Sequence, residues 1–366
     1  MQFKKSTIYK LLLLLLIPIA NVFVRLYASY PTPWEQYYSM GINKVVIQII
    51  SLICGIFPFS VFEVLIVLAA IFLVVSFFYT IYLSIKSGRK FYIVLGRYGL
   101  NLAVTVAIVY STFQFLWGLN YKRPQFGYNH GLVVQEYTPE ELSELYAYLL
   151  TQAAKEREIV PEDENGIMRM YTGYRDAFSR AQLGYDAITD VFIELDGTYG
   201  KPKPFLASAL LNYTKVTGMY SPFTGEPNVN VAIPDMYIPS TTCHEMAHQR
   251  GYGFEDQCNF IAYITAISHP DADFRYSGYL LGIAYVSNAL AAADFDLLIA
   301  RNQEMSDKIM DDLNYGNEFW AQYEGKVEEV ADSVNNSFLV ANGVESGTQS
   351  YGKVVDLLLA YYDKYF

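Results

Sequence analysis

Hydrophobic residues fall into unbroken runs over the first third of this 366-residue chain and into periodic stripes over the rest. Three runs can cross the roughly 30 Å apolar core of a bilayer as helices: residues 8–27, 60–85 and 92–117. No small-x-small cleavage site follows the first run and further runs succeed it, so it reads as a retained anchor rather than a signal peptide. A fourth run, residues 45–59, is short, holds Gln48 and Gly55 and ends at Pro58. It is expected to be interfacial or re-entrant rather than spanning.

Beyond residue 119 the pattern turns amphipathic. Residues 137–158 open on Thr138, Pro139, Glu140 and Glu141, a capped helix start, and continue with Leu142, Leu145, Leu149 and Leu150 at helical spacing. A second helix is expected over 168–183. Residues 211–220 and 228–233 read as strands around the turn formers of 221–227. The alternation Asn228, Val229, Asn230, Val231 predicts one buried and one presented face, on which a peptide could add as another strand. Pro234 and Pro239 then break the chain, and Ser240 or Thr241 is placed to cap a further helix. The C-terminal third predicts helices over 276–293, 294–302, 315–334 and 351–362. The expected fold is mainly α with a small β-sheet: a membrane domain, 1–119, with about three transmembrane helices, then an α+β domain, 120–366.

Charge divides the chain at the same place. Residues 1–119 hold nine of the 26 Lys/Arg and two of the 37 Asp/Glu, which leaves a net charge of −18 on the remainder. Such acidity argues against nucleic acid and anionic lipid as partners of the second half. Lys4, Lys5 and Lys10 precede the first run, and Lys86, Arg89, Lys90 and Arg97 lie between the second and third. The positive-inside rule puts both clusters in the cytoplasm, so the N-terminus is expected inside and the second half outside the cytoplasm. Glu63 and Arg97 lie near run ends, where snorkelling accommodates them. Cys54, Cys243 and Cys258 make no disulfide framework. Cys54 lies in the apolar half, and Cys243 and Cys258, which flank residues 244–248 and could end up close together, read as packing residues.

His244-Glu245-Met246-Ala247-His248 uses two of the four histidines. Residues four apart share a helix face, so both imidazoles can reach one ion, with Glu245 beside it to take a proton from water. A catalytic zinc site needs a third protein ligand and an open position. Gly251 and Gly253 can stop the helix, and a second helix from Glu255 would return that carboxylate to the ion. Asp256, His269 and His130 are the competing ligands; His269, beside Pro270, is expected in a surface loop. Asn259, four residues after Glu255, can hold a ligand histidine through its other ring nitrogen.

At these residues the chain resembles the gluzincin class of zinc metallopeptidases. The run from His244 to Gly251 and from Glu255 to Phe260 is more closely similar to an uncharacterised family of multi-pass bacterial membrane proteins, a domain of unknown function described as peptidase-like for this motif. The likeness extends to residues 117–121, 222–230, 334–338 and 350–352, nearly the whole chain. It implies a gluzincin-like domain with His244, His248 and Glu255 as ligands of Zn2+, Glu245 as base, and Asn259 where many gluzincins have Asp. Gln257 and Cys258 depart from the usual Glu-Ala, and Arg250 from the usual apolar residue, which implies a less buried helix end.

The expected function is a membrane-anchored zinc-dependent metallopeptidase that hydrolyses peptide bonds with metal-activated water, its partners the lipid bilayer and a peptide or protein substrate. Tyr351, Tyr279 and Arg250 are chemically able to donate to the tetrahedral oxyanion. The alternative is a catalytically silent zinc-containing membrane sensor or peptide-binding protein.

Overall fold

The computed structural model describes residues 5–87, 90–132, 135, 137–342 and 352–366. Four N-terminal helices are long and apolar enough to cross a membrane: α1 (Lys5–Ser29), α2 (Pro31–Gly55), α3 (Val61–Lys86) and α4 (Phe91–Leu116). That is one more than the hydrophobic runs predict. The polar start of α2 hides it from a hydropathy reading. Ser39 and Asn43 are buried and paired, and Glu35 is half-buried: Tyr27 bonds Ser39 at 2.7 Å and Glu35 at 2.9 Å, and Asn43 donates to the Phe115 and Leu116 carbonyls at 3.2 Å. α1 and α4 run parallel, joined by Lys10 to Asn101 and by Tyr110 to Asn21, whereas α3 returns antiparallel beside Tyr98.

Both ends of α2 meet the second half of the chain. Arg123 grips Glu35 at 2.6 Å, and Ser51 accepts from the Gly200 N–H at 3.0 Å. The α2–α3 link is held the same way. Lys203 donates to the carbonyls of Cys54, Phe57 and Phe59. Glu226 accepts from the Val61 and Phe62 N–H groups at 3.2 and 2.9 Å, placing a carboxylate on the free donors at the start of α3. Glu63 in turn accepts from Leu206 and Ala207 at 2.6 and 3.1 Å, so its charge serves the joint between the two halves.

In the second half, α5 (Pro139–Arg157) starts with the full capping box that its sequence predicts, Thr138 and Glu141 each bonding the other's backbone N–H. Met168 and Met170 are extended rather than helical, because their N–H groups are drawn to Asp312 and Asp235. The expected helix over 168–183 therefore shrinks to Tyr174–Arg180 and Gln182–Asp186.

A three-stranded sheet follows, ordered β1 (Lys203–Pro204), β3 (Glu226–Val229), β2 (Gly218–Ser221), with β1 parallel and β2 antiparallel to β3. The strand expected over 211–220 is helical at its start; Lys215, in the left-handed region at φ 51°, ends that turn before β2 begins.

Helices α6 (Ile238–Gln249), α7 (Glu255–Ile267) and α8 (Ala272–Ala293) then build the core with α5. Leu145, Leu149, Ile261, Ile264, Phe274, Ile283 and Leu290 are buried in it, each worth about 1.5–3 kcal/mol of apolar transfer. Ser240 and Thr241 lie inside α6 rather than at its cap; Pro239 occupies the first turn and the Ser240 N–H donates to Ser277. After α9 (Phe295–Asn302), the helix expected over 315–334 is two, α10 (Asp307–Ala321) and α11 (Lys326–Ala341), parted at Gly325. α12 (Gly352–Tyr365) closes the chain.

Candidate metal centre

Gly251 sets the geometry of the site. At φ +84° it ends α6, its N–H bonding the His248 carbonyl at 2.8 Å while the Tyr252 N–H returns to Ala247. The chain reverses within a few residues and α7 starts at Glu255, so its first turn faces the second half of α6. Nε2 of His244 and Nε2 of His248 stand 3.1 Å apart, and the Glu255 carboxylate lies 3.1 Å from the first and 3.6 Å from the second. Ligand atoms about 2.0–2.1 Å from a tetrahedral ion are separated by about 3.3 Å. The three side chains thus bring their donors into a triangle close to the size that a zinc-sized ion requires, with Oε2 of Glu255 the oxygen near His244 and Oε1 the one near His248.

The other ring nitrogens are spoken for. His244 Nδ1 donates to Asn259 Oδ1 and His248 Nδ1 to the Tyr252 carbonyl, both at 2.8 Å. Each bond keeps a proton on Nδ1, so that the Nε2 face of each ring, which carries the lone pair when the ring is neutral, is turned towards the triangle. Burial pushes the Glu255 carboxyl up, yet His248 and His244 outweigh this and hold it below the ordinary carboxylate range.

Glu245 is 4% exposed, and burial raises its carboxyl to about 7 against the opposing pull of His244 and His248. Its Oε2 has no hydrogen-bond partner among the described residues. A buried acceptor without a partner is costly, which is the expected state of a group that receives a proton from something held in the site.

The other candidate ligands are elsewhere. Asp256 lies outside the cluster. His130 pairs with Glu194. His269 is buried rather than in a surface loop: it donates to the Arg180 carbonyl, accepts from the Asp271 N–H and stacks on Phe274. Cys258 sits 3.3 Å from His248 Nδ1, and burial pushes its thiol up to about 11, so it remains an uncharged packing group.

Two expectations are corrected by the hydrogen bonds. Asn228, Val229, Asn230 and Val231 do not present a strand edge. β3 is the central strand and is paired on both sides, Asn230 bonds Thr217, Asn212 and Val216, and Val231 bonds Ser208. The edge that reaches the site is β2. A Cβ built on Gly218 would stand 2.6 Å from Cγ of Glu245, so only glycine lets this strand pass so close.

Arg250 is buried and spends its donors on Leu195, Met246 and Gln182, with the guanidinium 3.6 Å over the Tyr185 ring. It is neither free to donate to an oxyanion nor the mark of an exposed helix end. Tyr279 packs on Tyr263 in the core, and Tyr351 lies outside the described residues.

Groups that sequence reasoning missed surround the histidines. Trp117, the first residue after α4, meets the His248 ring edge-on at 5.5 Å, and Tyr220 of β2 stacks on it at 6.5 Å. Trp117 Nε1 points at the Tyr121 hydroxyl, 3.4 Å away. Arg123 donates to the Arg250 and Gly251 carbonyls at 3.0 Å, a cation on the C-terminal end of α6. With 33 tyrosines in the chain, no local signal separates these two from the rest.

Fold and site define a mainly helical protein with apolar N-terminal helices and a His/Glu cluster that could hold a metal ion. Residues 38–359 match the family described as a protein of unknown function, DUF3810, and the chain belongs to it. No curated protein and no solved structure matches the chain.

Proposed function

We propose that this protein is a membrane-anchored, zinc-dependent metallopeptidase. The observation that carries the reading is the donor triangle of His244, His248 and Glu255 with the unpartnered Glu245 carboxylate beside it. Two imidazoles and a carboxylate are a zinc donor set of the catalytic kind, three protein ligands leaving a position for water. Zinc, when bound, supplies a Lewis acid that polarises a scissile carbonyl and acidifies a water. Glu245 takes that water's proton on Oε2 and delivers it to the departing amine. Asn259 and the Tyr252 carbonyl keep both imidazoles in the ligating tautomer.

The placement of α2 supports a topology of three crossings, because both of its ends contact the soluble half. α1, α3 and α4 cross, α2 lies along the surface, and the N-terminus stands on the opposite side from the metal centre. With the basic residues of the α3–α4 connection inside, the site is extracytoplasmic.

The test is zinc content and cleavage of a broad peptide library by the full-length protein and its Glu245→Gln and His248→Ala variants. Glu245→Gln keeps zinc and loses hydrolysis by several orders of magnitude; His248→Ala loses both. Equal cleavage by parent and Glu245→Gln refutes the mechanism. The second reading, a silent zinc protein that senses or binds peptide, draws on the approach of Gly218 to Glu245, which narrows access to the base. Tightly held zinc with no cleavage by any form would select it.

A further inference from the structure

The soluble half carries an apolar surface that stays largely exposed among the described residues, only its Phe338 end being met by another part of the chain. On α11, Val327, Val330, Val334 and Phe338 are 42–64% exposed. At about 100° per residue they fall within an arc of about 80°. The side of the helix that meets the protein is a different one. Glu328 reaches Lys215 at 2.6 Å, and Leu339 is buried with Trp117 and Tyr121. These two lie about a quarter to a third of a turn away from the stripe.

What the stripe faces follows from where the helix is tied. Near its C-terminal end, Phe338 meets Phe113 edge-on at 6.3 Å, three residues before α4 ends. Near its N-terminal end Glu328 holds Lys215, which follows the short helix Ser208–Leu211. That helix is preceded by the Leu206 and Ala207 N–H groups seated on Glu63, in the first turn of α3. Both ends of α11 are thus anchored at the level where apolar helices meet the soluble half. The helix, about 24 Å long, lies along that level. Leu206 and Leu210, 67% and 70% exposed, extend the same surface.

We propose that α11, with Leu206 and Leu210, beds into the bilayer surface beside the metal centre, so that the site takes polypeptides anchored in the same bilayer. The lipid contact rests on continuity with the membrane helices; the substrate class rests also on the peptidase reading. Glu328, Glu329 and Asp332 make the polar side of α11 acidic, so the lipid it suits is zwitterionic rather than anionic. Height fixes the cleavage position. Trp117 directly follows α4 and touches His248, which puts the scissile bond on the order of 10 Å from the hydrocarbon edge, about three extended residues beyond a substrate's own span.

Spin labels on the full-length protein in phosphatidylcholine vesicles test the lipid contact. Labels are placed at Val330→Cys and Val334→Cys, and at Glu329→Cys on the polar side, each in a Cys54→Ala background. The first two are expected to be relaxed several-fold more by oxygen than by a water-soluble nickel chelate, and the third the reverse. A Val334 label as open to the chelate as the Glu329 label overturns the proposal.

The substrate class is tested with one pool of random decapeptides, offered free or joined to a polyleucine membrane helix. Anchored members should be cleaved at least tenfold faster, close to the helix. Free members cleaved as fast overturn the substrate class. Lipid-facing labels with no cleavage of either pool would remove the substrate class together with the peptidase reading, and leave the lipid contact standing.

Discussion

Asn259 offers the sharpest test of how the site is held. Its Oδ1 accepts from His244 Nδ1 at 2.8 Å, and the residue is buried. Asn259→Leu has a similar volume and no acceptor. The imidazole would then keep a buried N–H without a partner, or move the proton to Nε2 and lose the lone pair that faces the cluster. Loss of such an outer hydrogen bond lowers metal affinity about 10–100-fold, which is about 1.4–2.7 kcal/mol. Asn259→Asp restores the acceptor with a negative charge and should bind zinc at least as tightly as the parent. The assay is competition for zinc between the purified full-length protein and a fluorescent chelator, with circular dichroism to establish that each variant is folded. An Asn259→Leu protein that is folded and holds zinc within about twofold of the parent would refute the argument. So would an Asn259→Asp protein weaker than the leucine variant.

Other perturbations probe the surrounding structure. Asp312 lies fully buried, 2.6 Å from both Arg157 Nε and the Tyr276 hydroxyl and 2.8 Å from the Met168 N–H. Asp312→Ala leaves the Arg157 charge buried and should cost about 3–5 kcal/mol in denaturant unfolding. Gly218→Ala puts a methyl group against the Glu245 side chain, so overpacking of about 1–3 kcal/mol is expected; peptide cleavage should fall while zinc affinity holds.

In metal-free protein the raised Glu245 carboxyl makes stability depend on pH. The folded state binds that proton more tightly than the unfolded chain, so the contribution is present below the unfolded value of 4.5 and is lost as pH rises towards 7. The span corresponds to on the order of 3 kcal/mol, visible as a lower melting temperature at pH 8 than at pH 5. The difference shrinks but does not vanish in Glu245→Gln: burial pulls His248 down, yet Cys258 and Glu255 outweigh this and hold it up, so it still loses its own contribution above 6.5. Glu255, shifted the other way, acts only below 4.5 and does not overlap that window.

By itself the sequence determined whatever depends on neighbours along the chain. The long apolar runs announced α1, α3 and α4, because a bilayer demands consecutive hydrophobic residues. Thr138 and Glu141 marked the start of α5, since both capping bonds close within four residues. The juxtaposition of His244, His248 and Glu255 was legible too: helical spacing aligns the histidines, and Gly251 reverses the chain within a few residues. What the sequence could not carry was every feature set by long-range partners. α2 looked too polar to be a long helix until Tyr27, Phe115 and Leu116 supplied partners for its Ser39 and Asn43. β3 looked like a free edge because alternation reports faces and not neighbours; Lys203 and Met219, both distant in sequence, put strands on either side of it. Arg250 looked like a surface cation, and only tertiary structure brought Leu195, Gln182 and Tyr185 to bury it. The tyrosines at the site, Tyr121 and Tyr220, come from the short helical turn that follows α4 and from an edge strand, about 100 residues apart. Packing alone chose them, because local pattern holds no information about which distant surfaces meet.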